Sequence, residues 1–431
     1  MRTTGSVWKA LLASVGGVFT SPSHSLFIEL VSAWVIAPGR RTITAMVAVM
    51  DPAARAAHDA YHRFVRAGAW SMDALWAALV VAVVAHVGSG PVHLLIDDTL
   101  LHRPGRKVEG AGVWRDAVRS SGKTVVFARG LNIVVVAVRI APPWGGMPIA
   151  LPVGVALHRK DGPTLIELAE SLVRVLAERV PERPFVLCAD GAYASLAGRG
   201  LPRTTVVSRM RRDAALYEAP PPPTGKRGRP RTKGDRLATP PGLVKALRPK
   251  DWTRADIEWR GRRETRLVWS RPVLWHRVCP KAMVLLVVVR DPDGKEPDDY
   301  FFTTELRMAP GRVASIYASR WAIEVTNRDA KQVVGAHEPQ SWADQGPARA
   351  GALGLWLHGA VWLTYLTATG TREPKMTERD WYPGKATPSF ADAMAEVRRA
   401  LWRERISPRS GPTVLTPKMT TVLLDALATA A

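Results

Sequence analysis

Two short apolar runs in this chain end in carboxylates: VHLLIDD at residues 92–98 and PFVLCAD at residues 184–190. Runs of this length and composition read as strands buried on both faces. A carboxylate at the end of such a strand is costly to desolvate unless it is paired, hydrogen-bonded or bound to a cation. Between and beyond the two runs, further strands are expected at LNIVVVAVRIA (131–141), MPIALPVGVALH (147–158) and TTVVSRM (204–210). Helical periodicity runs from Thr164 to Val180, and a short helix follows Asp190. The succession strand, strand, strand, helix, strand, helix, strand predicts an α/β fold. Its first and fourth strands can lie side by side and bring Asp98 and Asp190 together. The plainer alternatives are that Asp190 is a turn residue before Gly191 and that Asp97 caps a strand end.

The flanking segments differ. Residues 1–88 have apolar positions at helical spacing, with Gly39 as a break and Ser71-Met72-Asp73 as a cap for the helix that leads to Val87. The Gly88-Ser89-Gly90-Pro91 cluster closes this helical region. The core is expected over 89–210, starting with VHLLIDD and a basic loop. Residues 211–303 begin with the Pro-, Gly- and Arg-rich loop EAPPPPTGKRGRPRTKGDR and continue as antiparallel strands. Residues 304–370 return to helices, and 371–431 form a last helical region.

The chain carries 60 Lys and Arg against 38 Asp and Glu, a formal charge of +22. A surplus of that size points to a polyanionic partner, and nucleic acid is the usual one. Two cysteines, Cys188 and Cys279, exclude a disulfide framework and a cysteine-based zinc site. The most apolar segment, Ala74 to Val87, is too short to cross a bilayer comfortably. No secretory signal is convincing. A cytoplasmic protein acting at nucleic acid, with no membrane partner, is expected.

The stretch YASRWAIEVTNRDAKQ (317–332) reads as part of one long helix. At about 100° per residue, Tyr317, Arg320, Glu324, Arg328 and Lys331 fall on one face. By itself this is a solvated stripe with an i,i+4 pair. Packed across the edge of the strand pair, however, the helix could present Glu324 to Asp98 and Asp190. Three converging carboxylates suit hard divalent cations. Two such ions about 3.5–4 Å apart can activate a nucleophile and stabilise the leaving oxygen in phosphodiester displacement.

The spacing Tyr317-x2-Arg320-x3-Glu324-x6-Lys331 resembles the Tyr-Arg-Glu-Lys signature of bacterial insertion-sequence transposases of the DDE superfamily, which have an RNase H-like core. IDDT at 96–99 looks like the family's first catalytic Asp followed by Thr99, and ADGAYAS at 189–195 is similar to the second. The likeness spans residues 91 to 345. It implies an RNase H-like mixed sheet flanked by helices and interrupted by a β-strand insertion. Asp98, Asp190 and Glu324 would be the catalytic triad, binding two Mg²⁺, with Mn²⁺ able to substitute. Asp98 is preferred over Asp97 because Thr99 follows it directly. Tyr317, Arg320, Lys331 and Arg328 would contact DNA. The implied enzyme binds terminal inverted repeats, cleaves the element's ends and joins the 3′-hydroxyl to target DNA, as a homodimer assembled on DNA in a bacterial nucleoid.

Other features lie outside that signature. Lys226, Arg227, Arg229 and Arg231 in KRGRPR resemble an AT-hook, which lies in the narrow minor groove of A·T-rich DNA; a plain basic linker is equally compatible. Trp252, Trp259, Trp269 and Trp275 could include a base-stacking ring, with core packing the default. His93, His102 and His158 lack ligand spacing. Arg40 and Arg41 would suit phosphate contact at a helix start. The rival functions are a nuclease that cuts without joining, a transposase-derived DNA-binding or regulatory protein, and an RNA-binding protein suggested by charge alone.

Overall fold

The computed structural model describes residues 3–53, 55–222, 230–259, 261–377, 383–406 and 416–430. Five helices come first: α1 (Thr4–Ser14), α2 (Ser21–Ile36), α3 (Ile43–Ala48), α4 (His58–Ala67) and α5 (Met72–Val84). Ser71 accepts a 3.2 Å hydrogen bond from the Ala74 N–H and starts α5 where the sequence placed its cap. These helices pack on later ones. The Trp34 indole donates to the Val334 carbonyl at 2.7 Å, and Arg349 donates to the Gly68 and Trp70 carbonyls.

The core opens with β1 (Val92–His102), β2 (Gly112–Arg115), β3 (Phe127–Ile140) and β4 (Ile149–His158). β2 falls inside the stretch expected to be a basic loop. At four residues it is too short to signal a strand by itself, and only pairing with the start of β3 makes it one. Then come α6 (Leu165–Arg179), β5 (Phe185–Ala189), a 3-10 segment over Gly191–Gly198 and β6 (Thr204–Arg209). Thr164 and Glu167 form a reciprocal capping box that starts α6.

Residues 211–303 supply α7 (Pro240–Lys245), β7 (Thr253–Trp259), β8 (Arg262–Val273), β9 (Val284–Arg290) and β10 (Asp299–Thr303). These strands make no sheet of their own. β10 pairs with β6, so one ten-stranded sheet runs β2-β3-β1-β5-β6-β10-β9-β8-β7, with β4 alongside β3. β1, β5 and β6 are mutually parallel and the remaining pairings antiparallel. This is the expected mixed α/β sheet flanked by helices.

The chain then continues as α8 (Pro310–Ala318), α9 (Trp321–Gln332), α10 (Gly346–Thr369), α11 (Phe390–Ile406) and α12 (Pro417–Thr429). α6 packs on one face of β3 and β4, while α9 and α10 pack on the other. α10 is buried almost all round, which explains its lack of a polar stripe. It approaches its neighbours closely: a Cβ on Gly354 would lie 2.4 Å from that of Ala336. Among the described residues, no single helix is long and apolar enough to cross a membrane.

His358 lies at the centre of α10, fully buried and stacked on Phe390 at 4.3 Å, with neither ring nitrogen hydrogen-bonded. Burial pushes its pKa down to about 3. The unfolded chain therefore takes up a proton below about pH 6.5 that the folded chain refuses. The stability tied to this residue is whole above that pH and is lost as pH falls towards 3. His358→Leu should flatten the fall in unfolding free energy, measured by urea titration between about pH 7 and pH 4, by a few kcal/mol at most. An unchanged acid slope would remove His358 from the account.

Candidate active site

The register of the two carboxylate strands determines which groups meet. β1 and β5 are parallel with Ile96 opposite Ala189, so Asp97 is level with Asp190 and shares its face of the sheet. Asp98, the next residue, points to the opposite face. Asp97 lies under α9, where its Oδ2 accepts a 3.3 Å bond from the Asn327 amide. Asp98 lies on the α6 side, where its Oδ1 accepts from the Tyr193 hydroxyl at 2.9 Å and the Asn132 side chain also bonds to it. The expectation that Asp98 meets Glu324 is thus corrected: the strand's two-residue period sends Asp98 away from α9 and puts Asp97 there.

Asp190 caps the 3-10 segment, its Oδ1 accepting from the Ala192 N–H at 2.9 Å. It is a turn residue as well as a member of the acidic group, so those two expectations coexist. Thr99 is buried on β1, two residues beyond Asp97 and on the same face.

The single long helix expected through 317–332 is two helices. Ser319 bonds its hydroxyl to the Ile316 carbonyl, and the N–H groups of Arg320, Ala322 and Ile323 reach back three residues rather than four. This tightening ends α8 before Arg320 and restarts the helix as α9. Tyr317 therefore belongs to α8, with its ring 4.4 Å from that of Phe301 and the Arg320 guanidinium 5.7 Å over it. Arg328 is turned to solvent against Asp329, away from the acidic group. Glu324, Asn327 and Lys331 follow one stripe of α9.

The electrostatics of this face are those of crowded carboxylates. Burial pushes the Asp97 carboxyl up to about 7; Arg320 opposes the rise, while Asp98, Asp190 and Glu324 add to it. Burial also raises Asp98, against the hydrogen bond from Tyr193. Arg320 is ion-paired to Glu324. Burial alone would weaken its charge, but Tyr317, Glu324 and Asp97 more than restore it and push it up. Burial lowers Lys331, which lies within the fields of Asp116 and Asp97.

The donors around Asp97 are oxygens, as a hard divalent cation requires. Asn327 Oδ1 is buried without a hydrogen-bond partner beside them. The donor chemistry therefore fits such an ion. Among the described residues, however, no three His, Cys, Asp or Glu side chains stand close enough to enclose one together. Glu324 is instead turned to Arg320.

The remaining expected residues are scattered. Lys226, Arg227 and Arg229 lie outside the described residues, and Arg231 is exposed and paired with Asp235 at 3.2 Å. Arg41 is buried, its N–H donating to Glu338 at 2.6 Å, so only the exposed Arg40 of that pair can meet a phosphate. Trp252 lies under the Arg290 guanidinium at 4.2 Å, Trp259 and Trp275 are buried, and Trp269 is partly buried against the same cluster as Trp275. His102 bonds Asp116 at 2.8 Å, and His158 lies against Trp114. Cys188 and Cys279 are buried and free. Asn327 and Tyr193 had no place in the sequence expectation. Asn327 stands three residues after Glu324 on one helix face, the signal that could have found it.

A family model described as DDE superfamily endonuclease matches residues 24–266, more than half of the chain. The match takes in Asp97, Asp98 and Asp190 and stops before Glu324. No curated protein matches the chain.

Removing Arg320 should expose the cost of gathering these carboxylates. Arg320→Met is expected to lower the unfolding free energy by about 3 kcal/mol in urea titrations. Adding Glu324→Gln should restore about 1 kcal/mol or more of that loss. Strict additivity of the two changes would mean that the ion pair carries no stability.

Proposed function

The chain belongs to the DDE superfamily of endonucleases, and from that membership we propose that it is a DNA transposase of the bacterial insertion-sequence kind, carrying the Tyr-Arg-Glu-Lys signature at Tyr317, Arg320, Glu324 and Lys331. In this reading it binds the terminal inverted repeats of its element, cleaves the strand at each end and joins the freed 3′-hydroxyl to target DNA. The observation that carries the proposal is the placement of Asp97 level with Asp190 on the sheet face covered by the Glu324 helix. A regulatory protein without catalysis has no need to hold the Asp97 carboxyl, itself largely desolvated, within the fields of Asp190 and Glu324.

Asp97, Asp190 and Glu324 are the residues proposed to hold divalent cations, of the class DDE nucleases generally use, with Mg²⁺ the expected ion and Mn²⁺ a substitute. Such ions supply a lowered nucleophile pKa and neutralise charge on the leaving oxygen. In both chemical steps an oxygen of water or of a 3′-hydroxyl bonds to phosphorus, loses its proton, and displaces the opposite oxygen in line. The chain's own residues position the reacting strand. Lys331, half-buried beside the acidic group, meets a phosphate oxygen, and Arg320 is held over Tyr317 where a phosphate can share it with Glu324. Asn327 fixes the Asp97 carboxylate through its amide. Because two ends are cut and joined together, the working assembly is a dimer formed on DNA.

The test is cleavage and strand transfer on DNA carrying the flanking terminal repeats, in Mg²⁺. Wild type should cut and join. Glu324→Gln and Asp97→Asn should bind the DNA but slow both steps at least ~100-fold. Asp98→Asn, changed on the far face, should retain cleavage within about 10-fold of wild type. Cutting without joining would make the protein a nuclease. Full cleavage by Glu324→Gln would reduce Glu324 to a partner of Arg320.

A further inference from the structure

The β2–β3 hairpin has no part in the chemistry above, yet its surface is unlike the rest of the molecule. Val118, Val125 and Phe127 are 85%, 55% and 64% exposed, and Val113 is exposed beside them. The loop is firmly built. Buried Asp116 accepts from the Val118 and Arg119 N–H groups and from His102, and Ser120 Oγ bonds both the N–H and the carbonyl of Val126. A segment this well tied that still turns apolar side chains to solvent marks a contact surface.

Its charge says what the contact is. Residues 103–129 hold seven Lys or Arg and two Asp or Glu. One of the two acids, Asp116, is buried on His102, and the other, Glu109, is paired with Arg159. Arg106, Lys107, Arg115, Arg119 and Lys123 are exposed and enter no ion pair among the described residues. A second copy docked symmetrically would bring ten such cations face to face, counting five from each, so the complementary partner is a polyanion.

The register places this surface. Asp97 is opposite Val135 on β3, and the odd-numbered residues of β3 share its face as far as Phe127, which is opposite Arg115 on β2. The exposed face of the hairpin therefore continues the sheet face that holds Asp97. From Val135 to Phe127 the strand runs about 27 Å, somewhat less than the ~34 Å turn of a DNA duplex.

We propose that this hairpin, with the adjoining 103–111 loop, is a prong that grips duplex DNA just under one helical turn from the reacting phosphate. Arg106, Lys107, Arg115, Arg119 and Lys123 hold backbone phosphates, and Phe127 and Val118 lie against the groove. The inference rests on the protein acting on DNA, and its test separates the two. The full chain is titrated with a fluorescent duplex at several salt concentrations, comparing wild type with Arg115→Gln/Arg119→Gln/Lys123→Gln and with Val118→Ser/Phe127→Ser. The triple variant should bind roughly 10-fold or more weakly near 100 mM salt, and its slope of log affinity against log salt should fall by about 2–3. All the changed residues are exposed, so melting temperatures should stay at the wild-type value.

Wild-type affinity and salt slope in the triple variant overturn the prong while leaving the DNA-acting reading intact. Failure of wild type itself to bind duplex sinks that reading and the prong with it. A wild-type dimer in sedimentation without DNA, dissociated by Val118→Ser/Phe127→Ser, would make the surface a contact between copies and likewise overturn the prong.

Discussion

The parallel pairing of β1 with β5 is the constraint on which the site depends. With Ile96 opposite Ala189, Asp97 and Asp190 come level on one face, and the two-residue period of the strand sends Asp98 to the other. A slip of one residue would exchange the two aspartates between the faces and draw a carboxylate towards the position that Ile96 fills. The buried run from Leu94 to Ile96 resists that slip, so the position of the acidic group is secured by the same burial that stabilises the sheet.

α9 is held over this face by contacts of several kinds. Thr326 donates its hydroxyl to the Ala150 carbonyl at 2.7 Å, Asn327 reaches Asp97, and Trp34 from the N-terminal helices bonds the carbonyl just beyond the helix. The N-terminal region thus braces the helix that carries Glu324. Arg320 supplies a counter-charge among the carboxylates, through its pairing with Glu324. Lys331 lies beside the acidic centre, and the exposed cations of the β2–β3 hairpin lie farther along the same sheet face, a distribution that suits a substrate that is itself a polyanion.

Much of this was legible in the sequence because local signals were strong. The continuous apolar runs of β1, β3 and β5, the Ser71 cap and the helical periodicity from Thr164 to Val180 each state their element with few alternatives. Other features had no local signal. The strand at Gly112–Arg115 exists because β3 offers it an edge. The break before Arg320 follows from a hydroxyl–carbonyl bond and three-residue backbone bonds that helical periodicity does not reveal. Arg41 looked like a free cation and is buried against Glu338, almost 300 residues away in sequence. The strands after residue 211 read as an insertion, and only the β6–β10 pairing makes them an extension of the core sheet.

By itself the sequence determined the α/β class, the order of the core strands, the placing of carboxylates at strand ends and the strongly basic character of the chain, because burial, periodicity and charge are properties of neighbouring residues. Which aspartate faces Glu324, whether Arg320 is free or paired, and which basic residues share a surface with Asp97 were decided by tertiary structure. Those questions turn on strand register and on packing between segments far apart in the chain, and no local pattern encodes either one.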